Sequence, residues 1–136
     1  MTDSQRPVRI LSVEDEPQTL DGPLAVLEFA GHTVTRVENV EQAHECLKTE
    51  KFDLLIVDQR VPRDGHLQYE GGSTLVYELK RGELGELNRG AAFLFVTGSR
   101  AWVGEDGMAA LDGFMGIELK GGDLSVQLRE RLAQLG

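Results

Sequence analysis

The side chains in this sequence that could do chemistry together are three acids, a hydroxyl and an amine, each standing at the end of a stretch that reads as a strand. Glu14 and Asp15 follow Val8 to Val13, Asp58 follows Leu54 to Val57, Thr97 follows Ala91 to Val96, and Lys120 follows Phe114 to Leu119. Leu54 to Val57 is unbroken and half β-branched, the pattern of a strand covered on both faces, and Pro62 discourages its continuation. If these runs are parallel strands of one sheet, all five groups meet at its carboxyl edge, where open α/β sheets bind ligands. Clustered carboxylates raise one another's pKa unless something offsets their charge. A hard divalent cation does this. Mg²⁺ takes oxygen ligands, keeps several waters, and is typically held by one or two carboxylates plus a phosphate; Mn²⁺ is the alternative ion. The cation would let an anionic phosphodonor approach Asp58, while Lys120 supplies a point charge and Thr97 a hydrogen-bond donor to the phosphoryl oxygens. The set predicts an aspartate that accepts a phosphoryl group with Mg²⁺.

The elements that must position these groups alternate along the chain. After the first strand, Leu20, Leu24, Leu27 and Ala30 keep helical spacing up to Gly31. Gly22-Pro23 would be a defect inside that helix, so the helix is expected to start late with Asp21 as its cap, or to kink. Thr33 to Val37 reads as the second strand. Asn39 caps a helix from Val40 to about Thr49, with Gln42 completing a capping-box-like pattern. The strand ending at Asp58 is the third. Ser73 caps a helix through Leu75, Val76 and Leu79. The fourth strand is Ala91 to Val96. Arg100 to Gly113 reads as a weak helix, since Gly104 and Gly107 each cost about 1 kcal/mol against alanine. The fifth strand is Phe114 to Leu119, and Asp123 caps a last helix striped by Leu124, Leu128, Leu132 and Leu135. Five such alternations predict an α/β fold: a doubly wound, five-stranded parallel sheet of order 2-1-3-4-5 with helices on both faces, the flavodoxin-like arrangement.

Composition narrows the classes. The 136 residues suit one domain, read as spanning 1–136. A net charge of −9 and the lack of a basic patch argue against nucleic acid as a partner. Cys46 is the only cysteine, which points to a reducing compartment. Met1 to Arg6 carries no signal-like apolar segment, and no run approaches the ~20 apolar residues of a membrane span. The expectation is a cytoplasmic protein with no membrane contact. His32, His44 and Cys46 read as structural, His66 as a surface-loop histidine, and Trp102 and Tyr69 as packing or exposed aromatics.

At the strand ends the sequence resembles the receiver domains of two-component response regulators, stand-alone and chemotaxis-regulator-like. The matching stretches are Ile10-Leu11-Ser12-Val13-Glu14-Asp15-Glu16-Pro17, Asp53-Leu54-Leu55-Ile56-Val57-Asp58 with Pro62 four residues on, Val96-Thr97-Gly98 and Leu119-Lys120. The resemblance implies that Asp58 takes a phosphoryl group from a sensor histidine kinase or a histidine phosphotransfer protein. It implies that Asp15, Asp58 and the Arg60 backbone carbonyl ligate Mg²⁺, with Glu14 acting through water. It further implies that Thr97 and Lys120 sense the phosphoryl group and shift the face built by the fourth helix, fifth strand and fifth helix, where an unknown output protein, or a second copy, would bind. Such a domain is not an enzyme in the usual sense, although it assists its own phosphorylation and dephosphorylation. No residues follow the last helix, so output is expected through a protein contact.

The sequence departs from the family at four places. Ile117 stands where an aromatic switch residue is usual, leaving Phe114 or Trp102 as substitutes. Gly121-Gly122 follows the lysine where proline is usual. The connection from Gln59 to Gly72 is long, with Arg63 to Glu70 as the excess, and a segment of that length is expected to be functional or disordered. The fourth-helix region is glycine-rich. Three other readings stand beside the phosphoacceptor. A haloacid-dehalogenase-type phosphatase would need an aspartate where Arg60 stands. A flavodoxin-like flavin carrier would not place Glu14-Asp15-Glu16 against a phosphate. A degenerate receiver, acting as a phosphorylation-independent protein-binding adaptor, would fit Ile117 and Gly121.

Overall fold

Alternate residues of the apolar strands face opposite sides, and that parity decides which helices cover which face. The structure, a computed structural model, describes residues 6–135; the reading of the segment before Arg6 as signal-free falls outside them. The sheet strands are β1 (Arg9–Val13), β2 (Thr33–Val37), β3 (Leu54–Val57), β6 (Ala92–Thr97) and β7 (Phe114–Leu119). They are parallel in the order β2-β1-β3-β6-β7. This is the expected 2-1-3-4-5 order, with two extra short strands, β4 (Val61–Arg63) and β5 (His66–Gln68), inserted after β3 as a separate antiparallel pair. Leu11, Leu55, Val57, Phe93 and Phe95 pack on one side with residues of α2 (Val40–Thr49), α3 (Gly71–Lys80) and α4 (Glu105–Ala109). Ile10, Leu54, Ile56, Leu94 and Val96 pack on the other with α1 (Asp21–Phe29) and α5 (Leu124–Ala133).

Most helix starts hold, and three caps are corrected. The first helix does start late: a single turn of 3-10 helix (Pro17–Leu20) leads into α1. Asp21 is the first helical residue rather than the cap; its carboxylate pairs with Arg36 at 2.7 Å instead. Pro23 thereby falls in the first turn, where its missing N–H has no intrahelical partner to lose. Asn39 caps α2 as expected, its Oδ1 accepting from the Gln42 amide at 2.8 Å, and Gln42 Oε1 returns to the Glu38 amide at 2.8 Å. Ser73 does not cap α3. The helix begins two residues earlier at Gly71, which leaves the Ser73 hydroxyl and amide for Gln59. Asp123 occupies the cap position of α5, but its side chain makes no capping bond. The Arg100 to Gly113 region splits into a 3-10 turn (Arg100–Trp102) and the five-residue α4, as its glycines would suggest.

The long connection after Asp58 is ordered as a hairpin. Two residues separate β4 from β5, Asp64 (φ 55°) and Gly65 (φ 80°), and left-handed conformation at both positions is what a type I′ hairpin turn demands. Its stem is tied down on both sides. The Asp64 amide donates to Glu41 Oε2 on α2 at 2.8 Å, and Arg63 pairs with Glu78 on α3 at 2.8 Å, a carboxylate that also meets His44 at 2.8 Å. His66 is exposed, as expected.

Asn88, which no periodic pattern marks, anchors the start of β3. It is fully buried, accepts from the Phe52 amide at 2.7 Å, and donates to the carbonyls of Leu47 (2.8 Å) and Glu50 (2.6 Å). One amide thus satisfies the C-terminus of α2 and the entry to the strand that carries Asp58. Truncation would leave these backbone groups buried without partners, at about 1–3 kcal/mol for such a group. Asn88→Ala is therefore expected to lower unfolding free energy by about 2–3 kcal/mol in urea titrations; a midpoint like that of the wild type would remove the residue from this role.

Candidate functional site

Three of the chemically competent side chains are set by backbone bonds that extend the sheet one step past its strands. The Glu14 amide donates to the Val37 carbonyl (3.0 Å), the Asp58 amide to the Val13 carbonyl (3.1 Å), and the Lys120 amide to the Thr97 carbonyl (3.0 Å). The ends of β1, β3, β6 and β7 are therefore in register, and Glu14, Asp58, Thr97 and Lys120 come together at one edge. Lys120 Nζ lies 2.8 Å from Asp58 Oδ2 and 2.7 Å from Glu14 Oε1. The Asp58 contact is a well-directed hydrogen bond. The Glu14 contact is an ion pair without hydrogen-bond alignment, so Oε1 is left without a directed donor. Gly121 (φ 93°) and Gly122 (φ 58°) let the chain turn away just after Lys120, in a conformation costly for residues with a β-carbon.

The electrostatics follow from burial. Glu14 is 2% exposed, and desolvation pushes its carboxyl up to about 7. The nearby Asp58 charge adds to the rise, while Lys120 and the Glu16 amide (3.0 Å from Glu14 Oε2) offset part of it. Burial pulls the Lys120 ammonium down, but its bonds to Asp58 and Glu14 outweigh that and leave its pKa raised. Carboxylate oxygens of Glu14, Asp15 and Glu16 lie within 4.8 Å of one another. Asp15 is half-buried and Glu16 exposed, so the cluster opens outward from the buried Glu14. Thr97 is fully buried, and its Oγ1 has no hydrogen-bond partner among the described residues. An all-oxygen, acid-rich set with a directionally unsatisfied carboxylate oxygen suits a hard divalent cation rather than a soft one. Among the described residues, the side chains whose oxygens lie close enough together to share such an ion are Glu14, Asp15 and Glu16; Asp58 is not in that group.

Sequence reading missed the support behind Asp58. Asp58 Oδ1 accepts from the Gln59 amide at 2.7 Å. The Gln59 side chain is 1% exposed and fully engaged: Nε2 donates to Ser73 Oγ (2.7 Å) and to the Trp102 carbonyl (3.0 Å), and Oε1 accepts from the Ser73 amide (2.8 Å). Gly72 donates its amide to the Gln59 carbonyl at 2.9 Å, and a β-carbon there would stand 2.2 Å from the Asp58 carbonyl oxygen. Only glycine permits α3 to start so close to the strand end. Arg60 is not free at the mouth. Its guanidinium stacks 3.7 Å from the Trp102 ring centroid and 5.0 Å from that of Tyr69. Ile117 is buried in the core, and Phe114 packs on Phe93 with centroids 5.5 Å apart.

A doubly wound parallel sheet with acids, a threonine and a lysine at its carboxyl edge is a receiver fold, and solved structures agree. The chain matches a receiver domain from Methylobacillus flagellatus at 21% identity with a TM-score of 0.76, covering 96% of this chain and 100% of that one. It matches the response regulator TrrA of Thermotoga maritima, solved with Mg²⁺ and beryllofluoride, at 22% and 0.73 over 95% and 99%. It also matches the receiver domain of a Pseudomonas aeruginosa sensor histidine kinase, solved with a magnesium ion in its active-site cleft, at 22% and 0.70 over 96% and 99%. By sequence it is 30% identical over 102 residues to a response regulator receiver protein of Anaeromyxobacter sp., a match spanning 75% of this chain and 37% of that relative's length. No family model matches. The chain belongs with the receiver domains of two-component response regulators. Among the described residues no helix is long and apolar enough to cross a membrane.

The raised Glu14 pKa makes a signed prediction for metal-free protein. Folding favours the protonated form, so this group's contribution to stability is greatest below about 4.5 and is lost as pH rises through about 7. Glu14→Gln in chelator is expected to be more stable than the wild type by about 1–3 kcal/mol at pH 8, with the gap closing near pH 5. Urea midpoints that differ equally at both pH values would show that Glu14 is not held in this state.

Proposed function

We propose that this receiver domain is a phosphoacceptor switch, with Asp58 as the acceptor, and that residues 1–136 act as one domain. The observation that carries the reading is the buried Glu14–Lys120–Asp58 bridge beside the unpartnered Thr97 hydroxyl. In the proposed reaction one Oδ–P bond forms on Asp58 as the donor's N–P bond breaks. The electron pair leaves on an imidazole nitrogen of a histidine kinase or phosphotransfer protein, which takes up a proton. Asp15, Asp58 and the Arg60 backbone carbonyl would hold Mg²⁺ or Mn²⁺, with Glu14 through water. When bound, the cation would neutralise charge on the phosphoryl oxygens. Lys120 already lies against Asp58 Oδ2, where it would offset charge on the phosphoryl oxygens once the acyl phosphate has formed, and Thr97 Oγ1 is free to donate to a phosphoryl oxygen. A cytoplasmic location, and an output protein or second copy on the α4–β7–α5 face, complete the proposal.

Intact mass after incubation with Mg²⁺ and acetyl phosphate tests it. The wild type is expected to gain one base-labile phosphoryl group and Asp58→Asn none. Equal labelling of both, or no labelling of the wild type by this donor or by a histidine kinase, would leave the adaptor reading in its place. Asp15→Asn is expected to weaken Mg²⁺ binding by at least tenfold in titration calorimetry, the scale of losing one carboxylate ligand at about 1.4 kcal/mol or more; unchanged affinity would take Asp15 out of the site.

A further inference from the structure

The two residues that follow Asp58 both hold Trp102, one by its backbone and one by its ring. Gln59 Nε2 donates to the Trp102 carbonyl at 3.0 Å, and the Arg60 guanidinium stacks 3.7 Å from the centre of its indole. The ring also abuts Gly98, the residue after Thr97; a β-carbon at position 98 would stand 3.1 and 3.2 Å from two ring carbons. Trp102 is thus in contact with the segments leaving both Asp58 and Thr97. The turn that carries it also reaches the last strand, since Arg100 donates to the Ile117 carbonyl at 3.1 Å. Ile117 itself is buried and aliphatic, and Phe114 is partly buried and packs on Phe93.

We propose that Trp102 is the residue through which the state of Asp58 is read, in place of an aromatic on β7. This rests on the phosphoacceptor reading and names how that site would be regulated. A phosphoryl group on Asp58 takes one carboxylate oxygen out of its present contacts, which are the Gln59 amide and Lys120 Nζ. A shift of the Gln59 backbone moves a side chain that has no slack, because its carboxamide is bound at once to Ser73 and to the Trp102 carbonyl. The Thr97 hydroxyl turning to the phosphoryl group moves Gly98 against the ring. The stacks of Arg60 on Trp102 and on Tyr69 are weak, partly exposed cation–π contacts that can be re-formed. Charge-assisted bonds to a phosphate are stronger and can outcompete them. The result is a two-state element joining the acceptor to the hairpin on one side, through Tyr69, and to β7 on the other, through Arg100.

Trp102 is the only tryptophan in the chain, so its emission reports on itself. Purified protein is treated with Mg²⁺ and acetyl phosphate while emission and intact mass are followed together, and the emission change is scored per phosphorylated molecule. A change that tracks labelling in the wild type, and that loses at least half its size in Gln59→Leu and in Arg60→Met, is the expected result. Labelling with unaltered emission, or a full-sized change in both variants, would overturn the inference while leaving Asp58 as the acceptor. No labelling at all would overturn the acceptor reading and this one with it. Arg60→Met removes an exposed stack rather than a buried network, so it tests the point even if Gln59→Leu fails to fold.

Discussion

A single ammonium group, Lys120 Nζ, lies within 2.8 Å of two buried carboxylates that arrive from different strands. Without it, Glu14 and Asp58 would be two like charges in a low-dielectric pocket, an arrangement that costs several kcal/mol or forces one of them to protonate. Even with the ammonium beside it, burial keeps the Glu14 carboxyl raised, and the Asp58 charge adds to the rise. The geometry of the sheet edge depends on this balance: β1, β3 and β7 are separated in sequence, and the bridge joins their ends across the strand order. The same imbalance makes the edge receptive to further positive charge.

That bridge rests on layers beneath it. The parity of the strands divides the core into two faces, so a residue at each strand end is held by packing on both sides rather than by its own loop. Asn88 pins the entry of β3, and Gln59 with Gly72 pins its exit. Asp58 therefore sits on a strand fixed at both ends, which is the preorganisation a reacting carboxylate requires. The hairpin between them leaves the sheet soon after Asp58 and returns to α3, and its tip is held by α2 through Glu41.

The elements were legible from periodicity where burial was complete. Leu54 to Val57 appears with the bounds its apolar run indicates, because a continuous apolar run has few other ways to leave water. Caps were less legible. Ser73 and Asp123 carry residue types that favour capping, yet one hydroxyl is captured by Gln59 and the other side chain makes no cap bond. The hairpin could have been found: Asp64-Gly65 between Val61-Pro62-Arg63 and His66-Leu67-Gln68 has the two-residue spacing and composition of a type I′ turn. Its polar stem hid it, since β4 and β5 bury little and show no apolar alternation.

From the sequence alone, the alternation of elements, the strand order and the residue types at the strand ends could be read, because burial and chirality leave few ways to arrange five such units. Asp58, Thr97, Lys120, Glu14 and Asp15 could be placed at the strand ends for the same reason. Only the tertiary structure decided which groups touch. It paired Lys120 with both acids, left the Thr97 hydroxyl open, and joined Gln59, Arg60 and Trp102 into one connected assembly. Those contacts join residues far apart in the chain through polar geometry, which has no period and leaves no pattern along a sequence.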